Sequence, residues 1–287
     1  MEMSKKFLKE MFGISELPAI EFSLREVSQK AQQLTGKLSI SGTQPKLSVK
    51  LDKESNSLIV VAEGGEYILK PQNPAFQNVP QNEQCCMDMA AKFKIDVPPH
   101  CILPLKDNSL AYLVKRFDRV SGMKIHQEDF SQILETDKYK GSIEQIGKKL
   151  NEKSTAPGYD MQLLFERVVF NFIIGNGDAH LKNYSIAYKD KDSIRLTPAY
   201  DIVCSKLVIP TEEDSALSIN GKKNGLKRDD FDKLADYLNV PIKIRYEKFQ
   251  ESLTVMEPVI KGSEIAKEDQ EQFIKIIKER LVRLELV

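Results

Sequence analysis

The sequence predicts an α+β protein of two lobes, a β-rich N-terminal lobe over residues 1–119 and a helical C-terminal lobe over residues 120–287. Two patterns predict this division. Apolar and polar residues alternate, as in strands, within residues 38–70, whereas apolar residues recur at helical spacing over residues 161–173. The length of 287 residues is about twice the roughly 150 of a single domain, which leaves room for two closely packed lobes.

The first lobe is predicted to contain five strands and one helix. The strands cover residues 47–51, 58–61, 67–70, 101–105 and 110–117. The first three are expected to form an antiparallel meander that turns at Gly64 and Gly65. The helix, over residues 82–94, follows a stretch rich in proline and asparagine and separates the third strand from the fourth.

The second lobe is predicted to be built around the helix over residues 161–173. That helix leads into a loop at residues 175–183, which is followed by two short strands and two helices. These strands and helices are predicted over residues 184–188, 194–197, 231–238 and 273–284. Two polar segments, residues 126–129 and the basic run of residues 222–228, are interpreted as surface loops.

Composition and charge narrow the classes of function. Lys plus Arg and Asp plus Glu both number 42, so the formal charge is zero and direct binding to nucleic acid is not expected. No apolar run approaches the roughly 18 residues of a membrane-spanning helix, and no secretory signal is evident, so we expect a cytoplasmic protein with no membrane partner. The 4 cysteines and 3 histidines have no disulfide or metal-ligand spacing, and the cysteines are predicted to be free thiols.

The loop after the central helix carries the strongest chemical pattern. Asp178 and Asn183 have the D-x-x-x-x-N spacing of a kinase catalytic loop, in which the Asp accepts the proton of the attacking hydroxyl and the Asn binds Mg²⁺. Asp201 is a second carboxylate that follows the next strand pair, where kinases keep their main Mg²⁺ ligand, although Ile202 and Val203 replace the usual Phe-Gly. Each Asp alone is also compatible with a turn or a cap. Together, and in this lobe order, they predict a bilobal protein-kinase-like fold with nucleotide bound between the lobes.

The first lobe offers the matching phosphate-binding parts. Lys70 ends a strand, and Glu83 lies 13 residues later in the predicted helix, where it could form the lysine-to-helix ion pair of a kinase; an ordinary strand-end lysine is the alternative. Residues 39–46 form a small-residue turn whose backbone N–H groups could cover phosphates, or simply a hairpin turn. Residues 115–119 end the lobe. Their backbone groups could form a hinge that binds adenine, and a charged linker is the alternative.

Taken together, these segments resemble the HipA family of toxin-antitoxin serine/threonine kinases. The resemblance is carried by the runs SISGTQPK from Ser39, YILKP from Tyr67, NE at 82–83, KRFDR from Lys115, NGDAHLKN from Asn176 and PAYD from Pro198. It implies that Asp178 is the catalytic base, that Asn183 and Asp201 hold Mg²⁺, and that Lys70 pairs with the phosphates of ATP. The remaining nucleotide contacts that it implies are Ser41, Gly42, Thr43, Gln44, Lys46 and His180, with Lys115, Phe117 and Asp118 around adenine and ribose.

The resemblance also implies regulation, partners and a target. Only about 37 residues precede the Ser-rich loop. This short N-terminal region is similar to that of the HipT type of a HipBST system, in which the partners are a small HipS protein and the DNA-binding HipB. Autophosphorylation is implied at Ser39, with Ser41 as the second candidate. The implied substrate is a translation protein such as an aminoacyl-tRNA synthetase. A small-molecule kinase of similar fold and a catalytically silent partner-binding module are the alternatives.

Overall fold

The computed structural model describes residues 3–27, 29, 46–73, 76–120, 122–190 and 192–287. These residues belong to two compact units: the first falls within residues 1–84 and 98–122, and the second comprises residues 85–97 and 123–287. No helix within the described ranges is both long enough and apolar enough to cross a membrane.

Strands prevail in the first half of the described chain and helices in the second. Up to residue 124 the elements are α1 (Lys5–Phe12), β1 (Ala19–Ile20), β2 (Leu47–Asp52), β3 (Ser57–Val60), β4 (Tyr67–Pro71), α2 (Val79–Lys92), β5 (His100–Pro104), β6 (Leu110–Lys115), β7 (Arg119–Val120) and β8 (Met123–Lys124). Then follow β9 (His126–Asp129), α3 (Phe130–Ile133), α4 (Ile143–Lys153), α5 (Pro157–Ile173), β10 (Ser185–Asp190), β11 (Ser193–Leu196), α6 (Arg228–Tyr237), α7 (Ser252–Lys261) and α8 (Lys267–Arg283). Short 3₁₀ turns lie at Leu181–Asn183, Ser205–Leu207, Ile242–Ile244 and Glu247–Phe249.

The first unit is built on a sheet whose described strands run in the order β1-β3-β2-β4-β6-β5. The five strands predicted for this lobe are confirmed, but the meander is wrong, because β4 pairs with β2 rather than with β3. Gly65 lies just before β4 and allows that strand to approach β2, because a Cβ at this position would collide with the side chain of Ser48 in β2. Strand β2, with Leu47 and Val49 buried, lies inside the sheet between β3 and β4.

Helix α1 covers this sheet through apolar contacts. Its residues Met11 and Phe12 are buried with the sheet residues of the same core cluster. The ring of Phe12 lies 5.5 Å from that of Tyr67 in β4, and the Tyr67 hydroxyl donates a 2.9 Å hydrogen bond to the carbonyl oxygen of Met11. These contacts fix β4, which carries Lys70, against the N-terminal segment.

The second unit is organised around α5, which is buried along most of its length. The ring of Phe172 lies 4.8 Å from the ring of Phe231 in α6 and 4.7 Å from the guanidinium of Arg280 in α8. Arg280 is 1% exposed and pairs with Asp214, which also receives a 3.2 Å hydrogen bond from Arg283. The predicted central helix and the helices at residues 231–238 and 273–284 are thus confirmed.

A three-stranded sheet of order β11-β10-β9 carries the end of the loop that follows α5. Its strand β9 corrects the interpretation of residues 126–129 as a surface loop, since Asp129 pairs with Ser185 and His126 with Tyr188 in β10. These residues lack the apolar alternation that marks a strand in the sequence. The backbone hydrogen bonds of a distant partner strand make them a strand.

Candidate active site

The loop over residues 175–183 begins at a glycine-terminated helix end. Gly175 follows α5 with φ +72°, a conformation that glycine adopts without steric cost, and its N–H donates to the carbonyl oxygen of Phe172 at 3.1 Å. The next residue, Asn176, is tied back to the helix by a 3.0 Å hydrogen bond from its amide to the side chain of Asn171. The helix end therefore fixes where the loop starts.

Gly177 brings the loop against the segment that follows the 3₁₀ turn at Ser205. A Cβ on Gly177 would collide with the carbonyl oxygen of Glu213 and with the carboxylate of Glu212. The N–H of Gly177 donates to the Ser205 hydroxyl at 2.8 Å, and that hydroxyl donates to Glu212. Burial raises the pKa of the Glu212 carboxyl, and the charge of Asp178 raises it further.

Asp178, the predicted base, is half-buried and has one side-chain partner among the described residues. The hydroxyl of Tyr139 donates a hydrogen bond to its Oδ1 atom at 2.9 Å. Tyr139 is a residue that the sequence reasoning missed, because it lies in the turn before α4, 39 positions before Asp178, and no local motif connects the two. The backbone oxygen of Asp178 accepts from the N–H of His180 at 2.8 Å.

His180 lies at the buried centre of the loop. The residue is 9% exposed, and its ring meets the ring of Tyr139 edge-on at 5.3 Å. Burial lowers the pKa of His180, although the charge of Asp178 opposes the shift, so the imidazole is expected to be neutral at physiological pH. The N–H of His180 donates to the side-chain oxygen of Asn183 at 2.9 Å, which orients that amide.

Asn183 and Asp201, the two predicted metal ligands, lie side by side. The Asn183 amide nitrogen is 3.2 Å from the Oδ2 atom of Asp201, which has a left-handed backbone with φ +59°. The Asn183 nitrogen faces Asp201, and the Asn183 oxygen accepts the His180 N–H but has a second lone pair. A carboxylate and an amide oxygen are ligand types that fit Mg²⁺, a hard cation that keeps several water ligands and takes the rest from carboxylates and substrate phosphates. No cluster of three or more His, Cys, Asp or Glu residues suited to a metal occurs in the described part of the chain.

In the first unit, the predicted pairing of Lys70 with Glu83 is confirmed. The ammonium of Lys70 in β4 contacts the Oε1 atom of Glu83 in α2, and the two side chains are 5% and 1% exposed. The ammonium also lies 5.5 Å from the centre of the Tyr112 ring. A buried lysine held by a carboxylate at a strand end is a fixed positive charge, suited to an anionic ligand.

The segment predicted as a hinge shows a network of charged contacts. Lys115 donates to the carbonyl oxygen of Glu10 at 2.7 Å. Asp118 is buried and accepts two 2.8 Å hydrogen bonds from Arg116 and a further one from Arg119. Burial acts to raise the pKa of Asp118, but hydrogen bonds and charges from the two arginines outweigh it, so the pKa is lowered and the carboxylate stays ionised.

Several other predicted positions carry less structural information. Phe117 is half-buried, and Lys46 is exposed just before β2. The remaining positions of the Ser-rich loop lie outside the described residues: Ser39, Ser41, Gly42, Thr43 and Gln44. Their assignments stay predictions.

The basic run at residues 222–228 divides into separate structural roles. Lys222 pairs with the buried Asp230 at 2.8 Å. Arg228 stacks over the ring of Tyr246 at 3.8 Å. Lys223 donates to the carbonyl oxygen of Tyr139 at 3.1 Å and so supports the turn beside Asp178. These three contacts hold residues 222–228 against other parts of the second unit.

The family model "HipA-like C-terminal domain" matches residues 38–276. The chain belongs to this family. It is 34% identical over 240 residues to the Sinorhizobium fredii protein named "Putative kinase Y4dM", covering 76% of this chain and 58% of that one. It is 30% identical over 202 residues to a Haemophilus influenzae protein named "Putative kinase", covering 65% and 58% respectively. The chain thus spans little more than half the length of these two relatives.

Two solved structures share the fold. The HipA chain of the Shewanella oneidensis toxin-antitoxin complex with HipB and operator DNA matches with a TM-score of 0.70 and 22% identity, covering 87% of this chain and 65% of that chain. The Helicobacter pylori proinflammatory kinase CtkA matches with a TM-score of 0.55 and 14% identity, covering 80% and 89%. The predicted α+β, kinase-like fold is confirmed.

Proposed function

We propose that this HipA-like chain is an ATP-dependent serine/threonine protein kinase that acts as the toxin of a toxin-antitoxin system. The observation that carries the proposal is the contact between Asn183 and Asp201 at 3.2 Å, in the same unit as Asp178. Two oxygen ligands for a divalent cation and a separate carboxylate are the groups that phosphoryl transfer requires. The buried pair of Lys70 and Glu83 supplies the phosphate-binding lysine.

Each of these residues has one role in the proposed reaction. An acceptor hydroxyl attacks the γ-phosphorus of ATP, the bond from that phosphorus to the bridging oxygen breaks, and ADP leaves. Asp178 takes the proton of the acceptor hydroxyl. Asn183 and Asp201 would hold Mg²⁺, which neutralises charge on the phosphates when it is bound. Lys70, held by Glu83, would pair with the phosphates.

The first test is ATP turnover by the purified protein. With Mg²⁺ present, ADP release should fall at least 100-fold in Asp178→Asn and in Asp201→Asn, with the far-UV circular dichroism of both unchanged. Asp192→Asn is the matched control, because Asp192 lies in the exposed turn between β10 and β11. Turnover near that of the wild type in either folded active-site variant would refute the kinase assignment.

The proposed substrate is a translation protein, an aminoacyl-tRNA synthetase being the class implied by the family resemblance. Support for the toxin role comes from the Shewanella oneidensis neighbour, which was solved with HipB and operator DNA. We propose partners resembling HipB and HipS for this chain as well. Phosphoproteomic mass spectrometry after induced expression of wild type and Asp178→Asn should reveal the target, and purification of the tagged chain from its native host should recover the partners.

We further propose that the kinase phosphorylates its own Ser-rich loop at Ser39, Ser41 or both. A phosphate adds a charge of about −1.5 to −2, which would compete with the phosphates of ATP for Lys46 and Lys70. Intact-mass analysis of both single Ser→Ala variants and the double variant, after incubation with Mg-ATP, should show the added phosphate only where a loop serine remains. Phosphate on the double variant would refute the site.

A further inference from the structure

The side chain of Asp178 depends on one contact for its orientation. The terminal torsion of an aspartate side chain has a broad, roughly two-fold preference, so a carboxylate on a loop rotates unless hydrogen bonds hold it. Among the described residues, the Tyr139 hydroxyl is the side-chain donor to this carboxylate, at 2.9 Å from Oδ1. A general base needs a fixed direction toward the proton that it removes.

Tyr139 is itself held in place from three sides. Its N–H donates to the side chain of Asp137 at 3.0 Å, and its carbonyl oxygen accepts from Lys223 at 3.1 Å. Its ring packs edge-on against His180 with an interplanar angle of 76°. Tyr139 is 42% exposed, and since its side chain has only two torsions, the ring contact and the hydrogen bond to Asp178 set the direction of its hydroxyl.

The turn that carries Tyr139 is joined to the loop that carries Asp178. The N–H of Leu181 donates to the carbonyl oxygen of Lys138 at 3.0 Å. Gly141 lies so close to Leu181 that an added Cβ would meet its side chain at 3.3 Å. The Tyr139 hydroxyl and the Asp178 carboxylate are therefore coupled through backbone as well as through their own hydrogen bond.

The protonation state of Tyr139 allows its hydroxyl to hold the carboxylate of a catalytic base in place. Burial raises the pKa of Tyr139, and the hydrogen bond to Asp178 raises it further, so the phenol keeps its proton and remains a donor at neutral pH. An ionised carboxylate has two acceptor oxygens. With Oδ1 held by Tyr139, Oδ2 has no hydrogen-bond donor among the described residues and would accept the proton of the phosphate acceptor.

We propose that Tyr139 is a positioning residue for phosphoryl transfer, and that its hydroxyl orients the Asp178 carboxylate toward the acceptor hydroxyl. The inference rests on the proposed function, because it takes Asp178 to be the base. Tyr139 acts through Asp178 and touches no reacting atom. Its removal should therefore slow the chemical step and leave nucleotide binding unchanged.

The test compares Tyr139→Phe with the wild type, using ADP release from Mg-ATP with dephosphorylated casein as the acceptor protein. The Phe ring keeps the packing against His180. We expect kcat to fall about tenfold, within the range of a hydrogen bond to a charged group, while KM for ATP stays constant. Tyr159→Phe is the matched control: Tyr159 is 57% exposed in α5 and should keep wild-type kcat.

A double variant separates positioning from a merely structural role. If Tyr139 acts only through Asp178, then Asp178→Asn with Tyr139→Phe should be no slower than Asp178→Asn alone, whereas independent effects would multiply. Multiplied losses, an unchanged kcat in Tyr139→Phe, or an increased kcat would each overturn the positioning role. Wild-type turnover in Asp178→Asn would instead refute the proposed function, so the two failures are distinguishable.

Discussion

The buried ion pair in the first unit gives a prediction that separates stability from ligand binding. Glu83→Gln removes the carboxylate charge that the ammonium of Lys70 contacts, at a site where the two side chains are 5% and 1% exposed. Removing one partner of a buried ion pair typically costs about 3–5 kcal/mol, because the other charge stays in a medium of low polarity. We therefore expect the free energy of unfolding to fall by about 3 kcal/mol.

Urea unfolding followed by far-UV circular dichroism measures this loss. With an m value of about 2 kcal/mol/M, a loss of about 3 kcal/mol lowers the midpoint by about 1.5 M urea. The matched control is Glu152→Gln, which removes one partner of the exposed pair with Lys149 in α4 and should leave the midpoint unchanged. A midpoint for Glu83→Gln close to that of the wild type would refute the reasoning.

Replacement of both partners extends the prediction to function. The double variant Lys70→Met with Glu83→Leu substitutes apolar side chains for the two charges, and such replacements of buried ion pairs are often neutral or stabilising. We expect the urea midpoint to recover while affinity for Mg-ATP, measured by calorimetry, is lost. Recovery of both properties would contradict the assignment of Lys70 to the phosphates.

Three further predictions concern the second unit. Gly177→Ala should abolish ADP release, because its Cβ would collide with the carbonyl oxygen of the segment packed on the loop, whereas Gly158→Ala, which has open space, should keep it. Asp214→Asn should destabilise the fold by about 2 kcal/mol near pH 6. The carboxyl pKa is lowered from 3.8 to about 2, since hydrogen bonds from two arginines outweigh burial, so the urea midpoint of the wild type should approach that of the variant as the pH falls from about 4 toward 2. Asp201→Asn should weaken the Mg²⁺ dependence of ATP binding in a calorimetric titration more than Asp178→Asn does, because only Asp201 is proposed as a metal ligand.

Each of these has an outcome that contradicts it. Full activity in Gly177→Ala would show that the loop tolerates displacement. A midpoint difference for Asp214→Asn that persists at pH 2 would place its effect in packing rather than in charge. Equal losses of Mg²⁺ dependence in the two aspartate variants would remove their separate roles.

The amino-acid sequence is enough to predict those parts of the site whose members lie close together along the chain. Asp178 and Asn183 share one loop, so their spacing alone predicts that they belong to one site. Lys70 and Glu83 are separated by a single connection between β4 and α2, and their pairing followed from that order of elements. Three helices of the second unit, α5, α6 and α8, were also predicted, because a buried helix face repeats its apolar residues at a fixed spacing.

Contacts between segments that are distant in sequence became visible only in the folded protein. The position of β2 between β3 and β4, the strand at residues 126–129, and the hydrogen bond from Tyr139 to Asp178 have no local signal. A polar residue in a turn has the same sequence pattern whether its hydroxyl faces water or a carboxylate. Which of the two occurs depends on the packing of the whole unit, since non-local contacts form only when the elements between them have folded into place.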